Sequence, residues 1–237
     1  MNKQQQIRSI KFPLLFNSEK LKREVTQLLS NQWRSHYNTS DYRGNWSVIA
    51  LLSKNGRSDE INALSALSDT LMETEILELC PYIQEVLRFF ECKKTAVRLL
   101  NLGAGAEIKP HRDNDLGYED GSFRLHIPII TNPEVEFILD NQRLIMKEGE
   151  CWYIDANFTH SVVNRGTSDR IHLVIDGVRN EWTDTLFFKE ASLEQFLSPK
   201  PVLDLATKEK MIAELRRMDS AVAQKIIRSL LNDESEI

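Results

Sequence analysis

Cysteine is scarce in this chain, and the spacing of the few present excludes several chemistries. Cys80, Cys92 and Cys151 form no CxxC pair and no metal-type cluster. Their odd number and apolar surroundings point to buried free thiols in a reducing compartment. Long hydrophobic runs are missing as well: no window approaches 18 apolar residues, and the start MNKQQQIRSI has no apolar signal core. Neither a membrane span nor a secretory leader is expected, so a cytoplasmic location follows. Basic charge is not in excess, since 30 Lys+Arg stand against 35 Asp+Glu for a net charge of -5. That balance disfavours a nucleic-acid backbone as the main ligand. Repeats and low-complexity tracts are absent from the sequence. What remains is an ordinary globular composition, 41% hydrophobic and 27% charged over 237 residues, enough for one well-buried core.

Three stretches differ in pattern. Up to about residue 92 the signals are mainly helical. Asn17 or Ser18 can cap a helix carrying Leu21, Val25, Leu28 and Leu29 on one face. A second helical stretch runs from about Glu60 into Leu79, and Pro81 restarts a helix to Phe90. Between them, Trp46–Leu52 reads as a strand. From about Ala96 to Val178 short strands alternate with turns: Ala96–Leu102, Phe123–Ile130, Val135–Leu139, Leu144–Lys147, Cys151–Ile154, His160–Asn164 and Arg170–Ile175. Asp140-Asn141 and Asn164-Arg165-Gly166 read as hairpin turns. The rhythm predicts a mainly β fold with flanking helices, a jelly-roll sandwich or small barrel. We therefore expect a main domain over 1–180, with its jelly-roll core at about 96–178. A helical extension over 181–237 follows, containing Thr207–Met218 and Asp219–Leu231 beyond Pro199 and Pro201. A homodimer through those helices is one alternative to ordinary packing.

Four of the five histidines lie in the β-rich third. His111 and Asp113 flank one residue, and on an extended segment residues i and i+2 point to one side, so imidazole and carboxylate can converge on an ion. His160 is the best third ligand. Two imidazoles and a carboxylate leave adjacent positions open, which suits Fe(II) binding a chelating co-substrate and then O₂. A structural zinc site would want four closed ligands. The plainer alternative is a surface HxD pair and an unrelated core histidine.

Arg170 lies ten residues after His160. On its strand Arg170, His172 and Val174 face one way while Ile171, Leu173 and Ile175 face the other. A guanidinium sent to an interior face needs an anion. The distal carboxylate of 2-oxoglutarate fits that need bidentately, as does a structural salt bridge to a protein carboxylate. The strand Phe123–Ile130 repeats the pattern, with Arg124 and His126 on one face. Two such strands predict a polar cavity inside an apolar barrel.

These residues resemble a family. His111-Arg-Asp113, Phe123-Arg-Leu-His126-Ile-Pro, Gly149-Glu150, Thr159-His160-Ser-Val-Val-Asn164 and Asp169-Arg170-Ile-His172-Leu are similar to aspartyl/asparaginyl β-hydroxylases. Within that family, a branch of the Fe(II)/2-oxoglutarate-dependent dioxygenases, the bacterial proline 3-hydroxylases look most alike. The quoted pieces span roughly a third of the chain. The resemblance implies a double-stranded β-helix (cupin-like) core, His111, Asp113 and His160 as iron ligands, and Arg170 as the anchor of the 2-oxoglutarate C5 carboxylate. Arg124, with His126, is then expected at the C1 carboxylate or at the substrate. The implied reaction hydroxylates an unactivated C–H bond and yields succinate and CO₂. A carboxylate at the third ligand position leaves no vacancy for chloride, which favours hydroxylation over halogenation.

An amino acid or other small carboxylate would suit the cationic cavity, with Arg98, Arg124 and Trp46 as substrate-binding candidates. Trp46 has a core role as its alternative. Two further readings stand beside this one: a hydroxylase of a peptide, protein or lipid head group with the same iron centre, and a non-catalytic cupin-like metal or ligand binder.

Overall fold

Alternating apolar and polar residues from Lys94 onward build eight strands that switch sheets in a regular rhythm. The computed structural model describes residues 6–28, 32–61, 70–197, 205–218, 220, 222–224, 226 and 227. Before the core come β1 (Ser9–Leu15), β2 (Arg34–Ser35), β3 (Tyr42–Arg43), β4 (Trp46–Ser53) and β5 (Met72–Glu73). The core strands are β6 (Lys94–Leu102), β7 (Glu107–His111), β8 (Ser122–Ile130), β9 (Val135–Leu139), β10 (Gln142–Leu144), β11 (Glu150–Ile154), β12 (His160–Asn164) and β13 (Arg170–Val178).

The larger sheet runs β1-β11-β8-β13-β6-β4-β2, with β5 on β4, and the smaller runs β10-β9-β12-β7-β3. Every pairing is antiparallel. Four core strands in each sheet, β11-β8-β13-β6 facing β10-β9-β12-β7, make a double-stranded β-helix, the jelly roll expected from the strand rhythm.

Helices cover the outer face of the large sheet: α1 (Ser18–Thr26), α2 (Glu75–Glu78) and α3 (Pro81–Phe89), joined beyond the barrel by α4 (Glu181–Phe187). The Asn17 side chain caps α1 by accepting from the Lys20 amide at 3.0 Å. Leu21 and Val25 of α1 and Ile83, Val86 and Leu87 of α3 join Leu99, Ile127, Ile129 and Leu173 in one apolar cluster. Each such side chain stabilises the fold by about 1.5–3 kcal/mol on burial. The barrel's inner face differs. Leu102, Ile108, Phe137, Leu139 and Val162 are apolar there. They share the interior with the buried polar residues Arg98, His126, Arg170, His172 and Asp176.

Several local expectations are corrected. Ser9–Leu15 is a strand on β11 rather than part of a helical region, because its pairing partner lies far along the chain. The helix expected from Glu60 to Leu79 is instead β5 followed by the single turn of α2; residues 62–69 lie outside the described residues. The strand expected at Leu144–Lys147 is Gln142–Leu144. Asp140 and Asn141, at φ of 45° and 64°, form a tight turn that pairs Leu139 directly with Gln142. Asn164-Arg165-Gly166 is no hairpin: β12 belongs to the small sheet and β13 to the large one, so this turn carries the chain between sheets.

Cys80 and Cys151 are buried and Cys92 is half-buried, all with free thiols. The chain divides into two units, Met1–Leu197 and Ser198–Ile237. Residues 181–197 fall in the first, where Phe187 of α4 stacks on Tyr118 at 3.8 Å. In the second, α5 (Leu205–Arg217) coincides closely with the helix expected at Thr207–Met218. Pro199, Pro201, Asp219 and most of the second expected helix lie outside the described residues.

Candidate active site

β7 ends on His111 and β12 begins on His160, and their register sets these two residues directly opposite each other. Cross-strand neighbours have Cβ atoms about 5 Å apart, and here the imidazole centroids are 4.3 Å apart. Asp113 follows two residues later, its amide donating to the Ala156 carbonyl at 2.9 Å, which holds the two loops together. His111 Nε2 is 3.9 Å from Asp113 Oδ1, and His160 Nε2 is 4.0 Å from Asp113 Oδ2. One ligand atom from each of the three lies within 4.8 Å of the others.

The second nitrogens are already committed. His111 Nδ1 lies 2.8 Å from the Lys109 carbonyl and His160 Nδ1 lies 3.0 Å from the Phe158 carbonyl. A carbonyl only accepts, so each Nδ1 carries the proton and each Nε2 turns a lone pair toward Asp113. Burial, then the neighbouring His111 ring, lower His160 to about 4, so it is neutral at pH 7 as a ligand must be. For Asp113, burial opposes the charge, but Arg124 and the two imidazoles outweigh it and hold the carboxyl below its ordinary value. Two imidazoles presenting Nε2 and one carboxylate fit a divalent ion of the iron type and would leave it open positions.

Inward from this cluster stands Arg170, 2% exposed. Its Nη2 donates to His172 Nδ1 at 2.8 Å, while its Nε has no hydrogen-bond partner among the described residues. No protein carboxylate pairs with it among the described residues, so the structural salt bridge that was its alternative role is not found. Burial alone lowers this guanidinium to about 9. Phe137 lies beside it, the guanidinium carbon 5.8 Å from the ring centroid. His126 lines the wall between Arg170 and the triad, its Nε2 buried and likewise unpartnered among the described residues.

Arg124 and Arg98 are held differently. Asp176 accepts from Arg124 Nε and Nη2 at 2.7 and 2.9 Å, and from Arg98 Nη2 at 2.8 Å. Arg124 Nη1 also reaches Asp113. Arg98 Nε is buried without a partner among the described residues. Trp46 is nearly buried and stacks on His36, with centroids 3.6 Å apart. All the predicted site residues line one cavity of about 690 Å³. Sequence reasoning missed Asp176 and His36. The first continues the alternation of Arg170, His172 and Val174, and it was lost because the strand was ended at Ile175, three residues short of Val178. His36 carried no sequence signal.

A double-stranded β-helix whose mouth gathers two imidazoles and a carboxylate has the architecture of the cupin-like non-haem oxygenases. Residues 16–180 match the aspartyl/asparaginyl β-hydroxylase family profile, and the chain belongs to that family. By that membership it is a hydroxylase. An L-proline cis-4-hydroxylase of Rhizobium meliloti (strain 1021) is 25% identical over 202 residues, 84% of this chain and 69% of that protein. An L-proline cis-3-hydroxylase of Streptomyces sp. is 27% identical over 195 residues, 80% of this chain and 66% of that protein. Among solved structures, a 2OG-Fe(II) oxygenase family oxidoreductase from Burkholderia pseudomallei aligns over 73% of this chain and 86% of its own, at 14% identity and a TM-score of 0.49. No helix among the described residues is long and apolar enough to cross a membrane.

Proposed function

We propose that the chain hydroxylates a free amino acid or a closely related small acid, using Fe(II), 2-oxoglutarate and O₂. The observation that carries this reading is Arg170: a buried guanidinium facing the cavity beside the His111-Asp113-His160 cluster, without a protein carboxylate among the described residues. An unpaired buried charge is costly, and a carboxylate of the co-substrate held by Arg170 would relieve that cost.

In this reading His111, Asp113 and His160 hold the iron, and Arg170 takes the C5 carboxylate. His126 flanks the co-substrate. Arg124, braced by Asp176, supplies positive charge near the C1 carboxylate and orients Asp113. When bound, the iron and co-substrate supply oxidation of a C–H bond by O₂, with succinate and CO₂ formed. Arg98 lines the cavity while paired with Asp176, which it shares with Arg124, and is assigned to a substrate carboxylate on that position; the stacked Trp46 and His36 form a wall for the substrate's carbon skeleton. A cavity of about 690 Å³ accommodates a co-substrate and a small molecule together. The relatives' names, proline hydroxylases, agree with that size and charge. The three free thiols accord with a reducing, cytoplasmic setting.

Anaerobic addition of Fe(II) and then 2-oxoglutarate tests the centre. A weak visible charge-transfer band is expected and should vanish in His160→Ala; its persistence in that variant refutes the ligand set. Succinate release across a panel of free amino acids and short peptides tests the substrate. Turnover with peptides alone would favour the polymer reading.

A further inference from the structure

We infer that His172 is the residue that positions Arg170, through an imidazole tautomer fixed by the fold. The inference rests on Arg170 as the carboxylate anchor. Arg170 and His172 are neighbours i and i+2 on β13, so both side chains leave the same face of the sheet. The contact between them is Arg170 Nη2 to His172 Nδ1, 2.8 Å.

A guanidinium carries donors only and keeps its protons in proteins. His172 Nδ1 must therefore be the acceptor, and the neutral ring bears its proton on Nε2. His126 completes the arrangement from β8, its Nδ1 3.3 Å from the same His172 Nδ1. Two facing lone pairs would repel, and His172 has no proton to offer there. His126 accordingly carries its own proton on Nδ1. Both rings are almost fully buried, and packing of the two strands limits their rotation. The guanidinium is thus tethered at Nη2 by an acceptor that bears no formal charge. Its charge is not neutralised by that contact, and its side chain lines the cavity into which a carboxylate would come. A protein carboxylate in the place of His172 would tether Arg170 equally well but would cancel the charge the ligand needs.

The test has two arms. In the metal-free protein, long-range ¹⁵N–¹H spectra should show His172 unprotonated at Nδ1 and protonated at Nε2 at pH 7, with the opposite tautomer for His126. A protonated His172 Nδ1 overturns the inference whatever the ligand affinities are. In the second arm, 2-oxoglutarate binding is measured by calorimetry with Mn(II) in the metal site and no turnover. His172→Leu should weaken binding by about tenfold or more, the effect of losing one hydrogen bond to a charged group. His172→Asn, which returns an acceptor oxygen near the Nδ1 position, should recover most of that loss. His172→Leu binding as tightly as the parent, or His172→Asn binding no better than His172→Leu, overturns the inference. Failure of the underlying reading looks different: Arg170→Met would retain full affinity while the His172 tautomer remained as stated. Should His172→Leu not fold, the tautomer spectra of the parent protein and the His172→Asn titration still decide.

Discussion

Asp176 accepts from both Nε and Nη2 of Arg124, at 2.7 and 2.9 Å, and is almost completely buried at the inner end of β13. The same carboxylate also holds Arg98. Burial opposes its charge, yet the two guanidinia keep Asp176 below the ordinary carboxylate range. Removing one partner of a buried pair leaves an uncompensated charge, which costs about 3–5 kcal/mol. Asp176→Asn should therefore lose stability of that order, read from the shift in denaturant midpoint. Because the native pKa is depressed, this contribution is present above the unfolded value of about 3.9 and is lost as pH falls below it. The stability gap between parent and variant should close in strong acid.

Arg170 presents the opposite case, a buried charge with no carboxylate partner among the described residues. Exchange for an unbranched apolar side chain removes a strained group rather than a satisfied one. Arg170→Met should raise the stability of the ligand-free protein by roughly 1–3 kcal/mol, a melting increase of a few degrees at this size. The same variant should lose 2-oxoglutarate binding. Calorimetric melting and ligand titration on one sample separate the two effects, and a variant that is both less stable and fully binding contradicts the assignment.

The metal cluster predicts a linkage effect. Mn(II) or anaerobic Fe(II) at a hundred times its dissociation constant should stabilise the fold by about 2.7 kcal/mol, and a chelator should reverse the gain. His160→Ala should abolish that stabilisation and reduce turnover on the order of a thousandfold. Melting temperature with and without metal, in parent and variant, checks both parts.

Asp155 gives a pH test away from the metal. It is fully buried, its Oδ2 has no hydrogen-bond partner among the described residues, and burial followed by the nearby Glu119 raises it to about 7. A carboxyl with a raised native pKa contributes stability that is present below the unfolded value and lost as pH rises through the native one. Asp155→Asn should accordingly be close to neutral at pH 4 and stabilising by roughly 2–4 kcal/mol at pH 8. His36 and His160, each lowered to about 4 chiefly by burial, act in the other direction. Their contribution is lost as pH falls from about 6.5 toward 4. In Asp155→Asn the acid-side decline should steepen, since the opposing carboxyl is gone. Denaturant midpoints from pH 4 to 8 give both slopes.

Much of the candidate site is legible in the sequence. His111-x-Asp113, and the pairs Arg124/His126 and Arg170/His172, depend on the two-residue period of a strand, and that period is local. A correct strand assignment therefore already determines which side chains share a face. The jelly roll followed from the same local property, repeated over short strands with turn residues between them. Where the pattern was cut early, as at Ile175, the site lost Asp176. Where a strand's identity depended on a distant partner, as for Ser9–Leu15 on β11, the reading failed, because hydrogen bonding across 140 residues leaves no periodic trace in the segment itself.

By itself the sequence determined the chemistry available: two imidazoles and a carboxylate, arginines sent to an interior face, and a β-rich scaffold to carry them. The tertiary structure decided which charges are free. Arg98, Arg124 and Arg170 look alike in the chain, but packing gives Asp176 to the first two and only an uncharged imidazole to the third. That choice depends on which strands adjoin and in what register, so it appears only once the sheets have closed around the cavity.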